Sequence, residues 1–379
     1  MKGIIFIACF IMGLSTFSQT YEVEEIRLVA TIQTINGINQ KANDFSPITS
    51  GDKIYFTSSR QYNKHNAGEN NWDRNSYLNI FYGTLRNDEE GVIDVKDIKL
   101  LSNKLNTGDH TGPISFSQTG DTLFFTKVIQ VNSGNERVYK AQLFSAIKKK
   151  NKWTKINRLP FSINESSFGH PSFDTQTNRL YFASNMAGGN GNFDIYYSEL
   201  TAGEWSAPVN VESINTKENE KFPFVMNGNI FFSSDRNGGE GRMDIYYSSP
   251  EPADSPIKLE GLNSSFDDFG VSILPDLSAG YFSSDRDGND DIYYFTLERK
   301  VIVKNQLAGT FIFRSLEGSA SNLTVKIYNE DGEFIYEEKT DDDGYFLFDN
   351  VHIDSTFTVR LEGATTDGMT LDFYDQFGK

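Results

Sequence analysis

A pair of adjacent aromatic residues recurs five times along the chain, and this internal repeat limits the possible folds more than any other feature. The steps between successive pairs are 69, 57, 50 and 50 residues. Each pair lies in a short run of β-branched and aromatic residues, which favour strands. Repeats of this length are typical of solenoids and propellers. The pairs are Tyr55-Phe56, Phe124-Phe125, Tyr181-Phe182, Phe231-Phe232 and Tyr281-Phe282.

Three further runs accompany each pair, so every repeat contains four predicted strands. An inner run with proline, glycine or serine precedes the pair, and a run such as Asp244-Ile-Tyr-Tyr247 follows it. Outer runs lie upstream at residues 26–29, 98–101, 156–159, 209–211 and 257–259. An apolar-Asn step also recurs, at Ile38-Asn39, Leu105-Asn106, Ile163-Asn164, Ile214-Asn215 and Leu262-Asn263. Glycine, asparagine, aspartate and serine between the runs supply turn conformations.

Five units of four strands predict an all-β protein whose main domain is a five-bladed β-propeller. Radial packing of the units buries both faces of each four-stranded sheet, which no single sheet achieves alone. The last unit has no outer strand after it, whereas a spare outer strand, residues 26–29, precedes the first unit. We therefore expect the N-terminal strand to complete the final blade and close the ring. The propeller is predicted to span residues 19–298.

The N-terminus has the pattern of a secretory signal peptide, residues 1–18. Lys2 precedes an apolar run that is too short to span a bilayer, and small residues at Thr16 and Ser18 suit cleavage before Gln19. The single cysteine, Cys9, lies inside the apolar run, whereas a lipoprotein signal would place it after the run. We expect an exported, periplasmic protein with no thiol after processing and no later transmembrane segment.

A different β pattern follows residues 299–306, which we interpret as a linker. Residues 307–379 contain six predicted short strands, with turns at Asp331-Gly332 and Asp343-Gly344, and predict a small β-sandwich. This region carries 15 Asp+Glu against five Lys+Arg, and the whole chain has a net charge of −17. Nucleic acid is not an expected partner, because binding to phosphates needs clustered cations.

Two parts of the chain resemble known families. The repeat that begins Ile230-Phe-Phe-Ser-Ser-Asp-Arg-Asn-Gly-Gly resembles the WD40-like PD40 repeats of TolB-type propellers, and residues 325–351 resemble the carboxypeptidase regulatory-like, transthyretin-type sandwich. The combination is similar to PorE-type periplasmic proteins of type IX secretion, which usually continue into an OmpA-like peptidoglycan-binding domain. The sequence stops at Lys379, where that domain would begin, so peptidoglycan anchoring is not carried over.

The resemblance implies a non-enzymatic scaffold in the cell envelope. Its expected partners are envelope proteins, including secretion-machinery or OmpA-like subunits, and the oligomeric state is left open. The first alternative is a propeller that binds carbohydrate or peptidoglycan fragments. The second is a glycoside hydrolase-like enzyme with acids in the central funnel, for which the separation of the carboxylates would decide the chemistry.

Polar side chains recur in two classes of loop that should open on one face of a propeller. They predict either a recognition face around the central funnel or a structural set in which Ser-Asp-Arg ties adjacent blades together. The loops leading into the inner strands carry Asp109, Glu165, Glu218, Glu220, Asp267 and Asp268; the loops between the middle strands carry Arg60, Asp235, Arg236, Asp285 and Arg286.

The stretch Asp285-Arg-Asp-Gly-Asn-Asp-Asp291 has the carboxylate spacing of a calcium loop, which makes Asp285, Asp287 and Asp291 candidate calcium ligands. It lacks the flanking helices and the distant glutamate of an EF-hand, so hairpin geometry is the alternative explanation, and no cofactor is expected.

Motifs of known catalytic sites are not found in the sequence. The four histidines have no H-E-x-x-H spacing, and the chain has no G-x-S-x-G elbow. His170, which precedes Pro171 in an inner run, is interpreted as structural. The sequence therefore predicts that the protein is not an enzyme.

Overall fold

The computed structural model describes residues 23–33, 35–61, 77–87, 92–107, 109–133, 136–248, 255–303, 306–313, 322–328, 334–341, 345–349, 358–362 and 369–374. Regular structure in these ranges is all β. None of the described residues form a helix that is long and apolar enough to cross a membrane. The predicted signal peptide lies outside the described residues. The chain divides into two compact units, one of residues 28–298 and one that combines residues 1–27 with residues 299–379.

Five sheets form the blades of a β-propeller, which confirms the five-bladed architecture predicted from the repeats. The chain begins with β1 (Val23–Gln33) and β2 (Ile35–Asn36). Blade 1 contains β3 (Asp44–Ser50), β4 (Lys53–Ser58), β5 (Asn79–Asn87) and β6 (Ile93–Leu100), and blade 2 contains β7 (Thr111–Phe116), β8 (Thr122–Ser133), β9 (Glu136–Lys149) and β10 (Lys152–Arg158).

The remaining three blades follow the same order from the inner strand outwards. Blade 3 contains β11 (Phe168–Asp174), β12 (Arg179–Ser184), β13 (Asp194–Thr201), β14 (Glu204–Trp205) and β15 (Val209–Asn210). Blade 4 contains β16 (Glu220–Met226), β17 (Asn229–Ser234), β18 (Asp244–Ser248) and β19 (Ile257–Lys258), and blade 5 contains β20 (Asp268–Ile273), β21 (Ala279–Ser284) and β22 (Asp291–Val303). In blade 5 the sheet order is β1-β22-β21-β20, and in blade 1 the short β2 lies parallel beside β6.

The two members of each aromatic pair face opposite neighbours, because side chains alternate between the faces of a strand. Phe231 packs in a cluster with Phe282 of blade 5, whereas Phe232 packs with Tyr181 of blade 3. Phe182 in turn packs with Phe124 of blade 2. The repeat therefore supplies both faces of every contact between blades, and this explains why a pair recurs instead of a single aromatic residue.

Every inner strand contains a β-bulge at the same place. The residue at the bulge has a positive φ in all five blades: Ser46, Gly112, His170, Phe222 and Gly270. At three of these bulges the N–H group reaches the second strand of the preceding blade, where Ser46 donates to Ser283 Oγ at 2.9 Å, His170 to Thr126 Oγ1 at 3.0 Å and Gly270 to Ser233 Oγ at 3.3 Å. The bulges thus help to join the blades around the central channel.

Proline follows the bulge in four blades and valine follows it in the fifth. These residues line a cavity of about 40 Å³ on the axis, where the open edges of the inner strands meet. Proline suits this place because it has no N–H group to leave unpaired on an open strand edge. The lining residues are Pro47, Pro113, Pro171, Pro223 and Val271.

The second unit contains two three-stranded antiparallel sheets, with the orders β26-β23-β28 and β25-β24-β27. The strands are β23 (Gln306–Phe313), β24 (Thr324–Tyr328), β25 (Phe334–Lys339), β26 (Tyr345–Asp349), β27 (Thr358–Glu362) and β28 (Met369–Tyr374). The predicted linker, residues 299–306, is mostly strand instead, because β22 continues to Val303 and β23 begins at Gln306. The transthyretin-type assignment of this unit stays a prediction.

Candidate functional site

The loops into the inner strands and the loops between the second and third strands lie at the same end of the blades, which we call the upper face. Within each blade the first residues of the inner strand pair with the last residues of the second strand, as Asp44 pairs with Ser58 and Glu220 with Ser234. All sequence-predicted site residues therefore lie at or near this face. Their surroundings differ sharply.

Arg60 lies in a buried network inside blade 1. Its Nη2 atom is 2.7 Å from Asp44 Oδ1 and donates to Ile38 O at 2.7 Å, and its Nε atom donates to Ser58 Oγ at 2.9 Å. The guanidinium also lies 4.7 Å from the Phe56 ring centroid. Only 7% of the side chain is exposed, so its hydrogen-bonding capacity is directed inwards.

Arg236 and Arg286 make the same set of contacts in blades 4 and 5. Arg236 pairs with Glu220 at 3.2 Å and donates to Ile214 O, whereas Arg286 pairs with Asp268 and donates to Leu262 O. Glu220 and Asp268 are fully buried, and each also accepts hydrogen bonds from the loop that leads into its strand. These contacts join the hairpin of one blade to its own inner strand and to the loop that enters that strand, whereas one explanation from the sequence was that Ser-Asp-Arg ties adjacent blades together.

Asp235 and Asp285 fasten the two loops of their own blade together. The N–H group of Asn219 donates to Asp235 Oδ1 at 2.6 Å, and that of Asp267 donates to Asp285 Oδ1 at 2.8 Å. Asp267 is itself paired with the exposed Arg242. Glu218 lies beside Lys217 at 3.7 Å.

Asp109 and Glu165 are set in different surroundings, on the blade 2 side of the upper face. Asp109 is half-buried near Lys127, where burial lowers the pKa of the lysine although the Asp109 charge opposes this shift. Glu165 is exposed, and its backbone carbonyl accepts a hydrogen bond from Lys140 Nζ. Neither residue takes part in the arginine networks.

The candidate calcium residues share one hairpin, but the structure does not arrange them as a metal site. Among the described residues no three His, Cys, Asp or Glu side chains form a group that could hold a metal ion. Asp287 Oδ2 accepts a hydrogen bond of 2.6 Å from the Tyr293 hydroxyl, and Asp291 Oδ1 is buried without a partner. Burial, followed by Asp44, Asp287 and Asp290, raises the pKa of Asp291 to about 6. Burial, followed by Asp285 and Asp267, raises the pKa of Asp290 to about 6.

Aromatic rings from four blades form a continuous chain around the upper mouth of the channel, which we call the aromatic cluster. The His170 ring stacks on Phe222 with centroids 3.8 Å apart and planes at 11°. Phe222 lies 5.0 Å from Phe269, which lies 6.0 Å from Phe45. The four residues come from β11, β16, β20 and β3.

The His170 imidazole in this cluster is neutral. Burial, with a smaller contribution from the Lys221 ammonium, lowers its pKa to about 3. The backbone N–H group of Phe222 donates to His170 Nδ1 at 3.4 Å, which leaves the proton of the neutral ring on Nε2. The cluster is therefore apolar on its ring faces and carries one polar edge.

Sequence analysis missed three residues of this cluster and interpreted His170 as structural. Phe45, Phe222 and Phe269 occur in the inner runs, but they do not align in the repeats. Phe45 and Phe269 lie one residue before the bulge, whereas Phe222 occupies the bulge. The available signal was the presence of His and Phe directly before a proline in blades 3 and 4, where blade 2 has glycine.

Comparisons with known proteins agree with the fold. No family model matches the chain, and no curated protein matches it. A family 117 glycoside hydrolase of the marine bacterium Zobellia galactanivorans is 10% identical, with a TM-score of 0.43 over 72% of this chain and 90% of that one. An α-L-arabinofuranosidase of Podospora anserina is 10% identical, with a TM-score of 0.42 over 72% of this chain and 96% of that one.

A puromycin-hydrolysing peptidase of Mycobacterium tuberculosis is also similar in structure. It is 12% identical, with a TM-score of 0.37 over 64% of this chain, and the match spans 43% of the peptidase. The PD40, carboxypeptidase regulatory-like and PorE-type resemblances stay predictions, because no family model matches.

The prediction that the protein is not an enzyme is contradicted by these comparisons. Of the named structural neighbours, two are glycoside hydrolases and one is a peptidase. The scaffold role predicted from the sequence receives no support from them. The similarity to these proteins, at 10% to 12% identity, concerns the fold alone.

Proposed function

We propose that the upper face of the propeller binds a carbohydrate, with a sugar ring packed against the aromatic cluster at the mouth of the channel. The C–H groups on one face of a sugar ring form an apolar surface that fits a flat aromatic ring, while its hydroxyl groups need polar partners at the edge. The observation that carries this proposal is the stack of His170 on Phe222, with centroids 3.8 Å apart.

The backbone at these two positions supports a functional role for the rings. His170 and Phe222 have φ values of +54° and +50°, a conformation that costs side-chain-bearing residues about 1–2 kcal/mol each. Glycine occupies the same bulge position in blades 2 and 5 without this strain. Blades 3 and 4 thus keep large rings where the fold itself would be better served by glycine.

Polar side chains around the cluster could bind sugar hydroxyl groups. Asn192 and Asn219 are linked at 3.3 Å at the exposed edge of blades 3 and 4, and Lys221 lies with its Nζ 5.0 Å from the Phe193 ring centroid. A site with an apolar floor and a few polar groups is the usual form of a small-ligand site.

The test is binding of defined oligosaccharides, first on a glycan array and then by calorimetry, to the full chain and to Phe222→Gly. The chain accepts glycine at this bulge position in two blades, so the variant is expected to fold. Its affinity should fall by at least about tenfold, since it loses the stacking surface. Ser46→Gly is the matched control, because it makes the same change at the bulge position of blade 1, where the residue carries no ring. Absence of binding to all glycans, or equal binding by Phe222→Gly, would refute the proposal.

Hydrolysis of the bound glycan is a second candidate function. Asp290 and Asp291 flank the Phe45 side of the cluster, because Asp44 N donates to Asp290 O at 2.6 Å and Asp44 directly precedes Phe45. A carboxyl group with a pKa of about 6 suits a general acid near neutral pH. Release of reducing ends by the full chain that is lost in Asp290→Asn or Asp291→Asn would support this candidate, and no release from any bound glycan would exclude it.

We further propose that the N-terminal strand closes the ring and that the protein acts in the periplasm among envelope proteins. Closure is supported by the place of β1 beside β22 in blade 5. Export is supported by the sequence of residues 1–18 alone. Fractionation of cells that express the full chain tests export, because a cytoplasmic, unprocessed product would exclude it.

A further inference from the structure

The loop between blades 2 and 3, residues 158–165, departs from the repeat. At the other four junctions an asparagine side chain accepts a hydrogen bond from the third strand of the preceding blade; the pairs are Asn39 with Ile292, Asn106 with Ile80, Asn215 with Ile195 and Asn263 with Ile245. At this junction Ser162 Oγ accepts the bond instead, from Leu143 N at 3.0 Å. Asn164 of the predicted Ile163-Asn164 step does not fill this role, because the hydroxyl of Ser162, two positions earlier, already does.

The loop is nevertheless firmly anchored to blade 2. Ser162 Oγ donates to Gln142 Oε1 at 2.9 Å, and Gln142 Nε2 donates to Ser166 O at 2.7 Å. Gln142 is fully buried. The loop is therefore held in place by the buried amide, which leaves the side chains between Ser162 and Ser166 available for another use.

These side chains border an open cavity of about 450 Å³ on the upper face, which we call the Arg158 cavity. It is lined by Arg158, Leu159, Pro160, Ser162, Ile163, Asn164 and Glu165. Ile163 is 44% exposed, whereas its counterparts Ile38, Leu105, Ile214 and Leu262 are buried. Asn164 does not make the contact that an asparagine makes at the other four junctions. Its Oδ1 atom instead accepts a hydrogen bond of 2.6 Å from Arg158 Nη1.

Arg158 has a donor without an acceptor. Its Nε atom is buried and has no hydrogen-bond partner among the residues that the structure describes. Within the described part of the chain its guanidinium forms no ion pair, although Arg60, Arg236 and Arg286 each have a carboxylate partner. Burial lowers the pKa of Arg158 although the Glu165 charge opposes this shift, and an arginine remains charged at neutral pH. A positively charged guanidinium that is held in place beside a cavity is suited to binding an anion.

The charges of the upper face are also divided between its two sides. Lys127, Lys140 and Arg158 belong to blade 2, and the Lys140 Nζ atom reaches the carbonyl of Glu165 at the Arg158 cavity. Asp109 and Glu165 lie on the same side and offset part of this positive charge. Among the described residues the blade 5 hairpin carries Asp285, Asp287, Asp290 and Asp291 against Arg286. An acidic ligand would therefore be attracted to the blade 2 side more than to the blade 5 side.

We propose that the Arg158 cavity receives an anionic substituent, a carboxylate or a sulfate ester, of the carbohydrate bound at the aromatic cluster. This inference rests on the proposed function and names the class of ligand as acidic glycans. Arg158 would bind the anion through its second terminal nitrogen, with Nη1 kept in place by Asn164. Lys140 would add a second positive charge at the rim of the cavity.

The experiment compares three sets of oligosaccharides of equal length by calorimetry: galacturonan, a sulfated galactan and an unsubstituted galactan. The full chain should bind at least one acidic set about tenfold more tightly than the neutral set, and the excess should fall as salt increases. Arg158→Gln should remove that excess, whereas Arg158→Lys should keep part of it, because a lysine keeps the charge but not the planar guanidinium. The acidic set that responds identifies the anion as carboxylate or sulfate.

Arg179→Gln is the matched control. Arg179 lies at the start of β12, at the opposite end of blade 3, and its Nε atom is 3.3 Å from Glu199, so the variant removes the same charge away from the upper face. Thermal unfolding shows whether each variant is folded. Equal affinity for acidic and neutral glycans, or equal losses in Arg158→Gln and Arg179→Gln, would overturn this inference alone. Loss of neutral binding in Phe222→Gly separates the two proposals, and absence of all glycan binding would overturn both.

Discussion

The Asn39 side chain pairs with both backbone groups of Ile292, although 253 residues separate the two positions. Asn39 Nδ2 donates to Ile292 O at 2.9 Å, and Ile292 N donates to Asn39 Oδ1 at 2.9 Å. This double hydrogen bond joins the loop into the first blade to the third strand of the last. It is the same contact that Asn215 makes with Ile195 and Asn263 makes with Ile245 between consecutive blades.

We predict that Asn39→Ala lowers the free energy of unfolding by about 2 kcal/mol, because it leaves two polar backbone groups of a buried residue without partners. Chemical denaturation measures the change. Asn157→Ala removes an exposed amide whose bond to Lys155 O is 3.4 Å long and should change stability by less than about 0.5 kcal/mol. Equal effects of the two variants would contradict the role of Asn39.

Arg60→Met should destabilise the protein by about 3–5 kcal/mol, because it leaves the Asp44 carboxylate buried without its cation. Burial already raises the pKa of Asp44, against the opposing effect of Arg60. Denaturant titration of this variant should be compared with Arg86→Met. Arg86 and Asp97 form an exposed pair at 3.8 Å, whose loss should cost less than about 0.5 kcal/mol. A small effect of Arg60→Met would show that the buried network is not needed for stability.

The raised pKa values of Asp290 and Asp291 predict a specific pH dependence. Their folded-state values of about 6 exceed the ordinary value of 3.8, so the folded state binds more protons between these limits and stability falls as the pH rises from about 4 to 7. Asp290→Asn should therefore raise the melting temperature relative to the full chain at pH 7 by more than it does at pH 4.

Asp276 supplies the control of opposite sign for this pH series. Hydrogen bonds from Ser278 lower its pKa, so its contribution is present at neutral pH and is lost as the pH falls through the folded-state value. Asp276→Asn should lower the melting temperature at pH 7 and have little effect in strong acid. The same pH trend in both variants would contradict the assignment of the shift to Asp290.

A chain that begins after Gln33 should lose the cooperative unfolding of the propeller. Leu28 and Ala30 belong to the core cluster of blades 4 and 5, Leu28 N donates to Tyr247 Oη at 3.2 Å, and Ala30 N donates to Glu260 O at 2.8 Å. Removal of these contacts exposes one edge of β22. Limited proteolysis and thermal unfolding should be compared with the chain that begins at Gln19. A shortened chain with the same resistance would refute closure by β1.

Much of the architecture could be predicted, because side chains alternate between the two faces of a strand and an aromatic pair recurs in one strand of every blade. The pair Phe231-Phe232 predicts a strand with two buried faces, and its repetition predicts the five blades that the structure contains. Boundaries were less predictable. Residues 299–306 have the mixed composition of a linker, but residues 299–303 continue β22. The three consecutive apolar residues 301–303 are compatible with a strand, and the composition of the stretch does not show where the strand ends.

The candidate site could be predicted only in its location. The loops that carry Arg60, Arg236 and Arg286 place these residues at the upper face. The direction of each guanidinium depends on a carboxylate that lies 16 to 18 residues away on the inner strand, namely Asp44, Glu220 and Asp268. A recurring Ser-Asp-Arg motif looks the same in sequence whether the guanidinium points to solvent or to a buried carboxylate. Only the hairpin geometry turns it inwards.

The sequence by itself determined the number of blades and the residues that pack between them, since both follow from local patterns that repeat along the chain. The tertiary structure alone decided which rings meet at the mouth of the channel, because His170, Phe222, Phe269 and Phe45 come from four blades and stand out of register in the repeats. It also decided that Asn164 accepts a hydrogen bond from Arg158, because Ser162 takes over a contact that the sequence pattern assigns to Asn164. Such contacts join residues through space, and a local pattern carries no information about them.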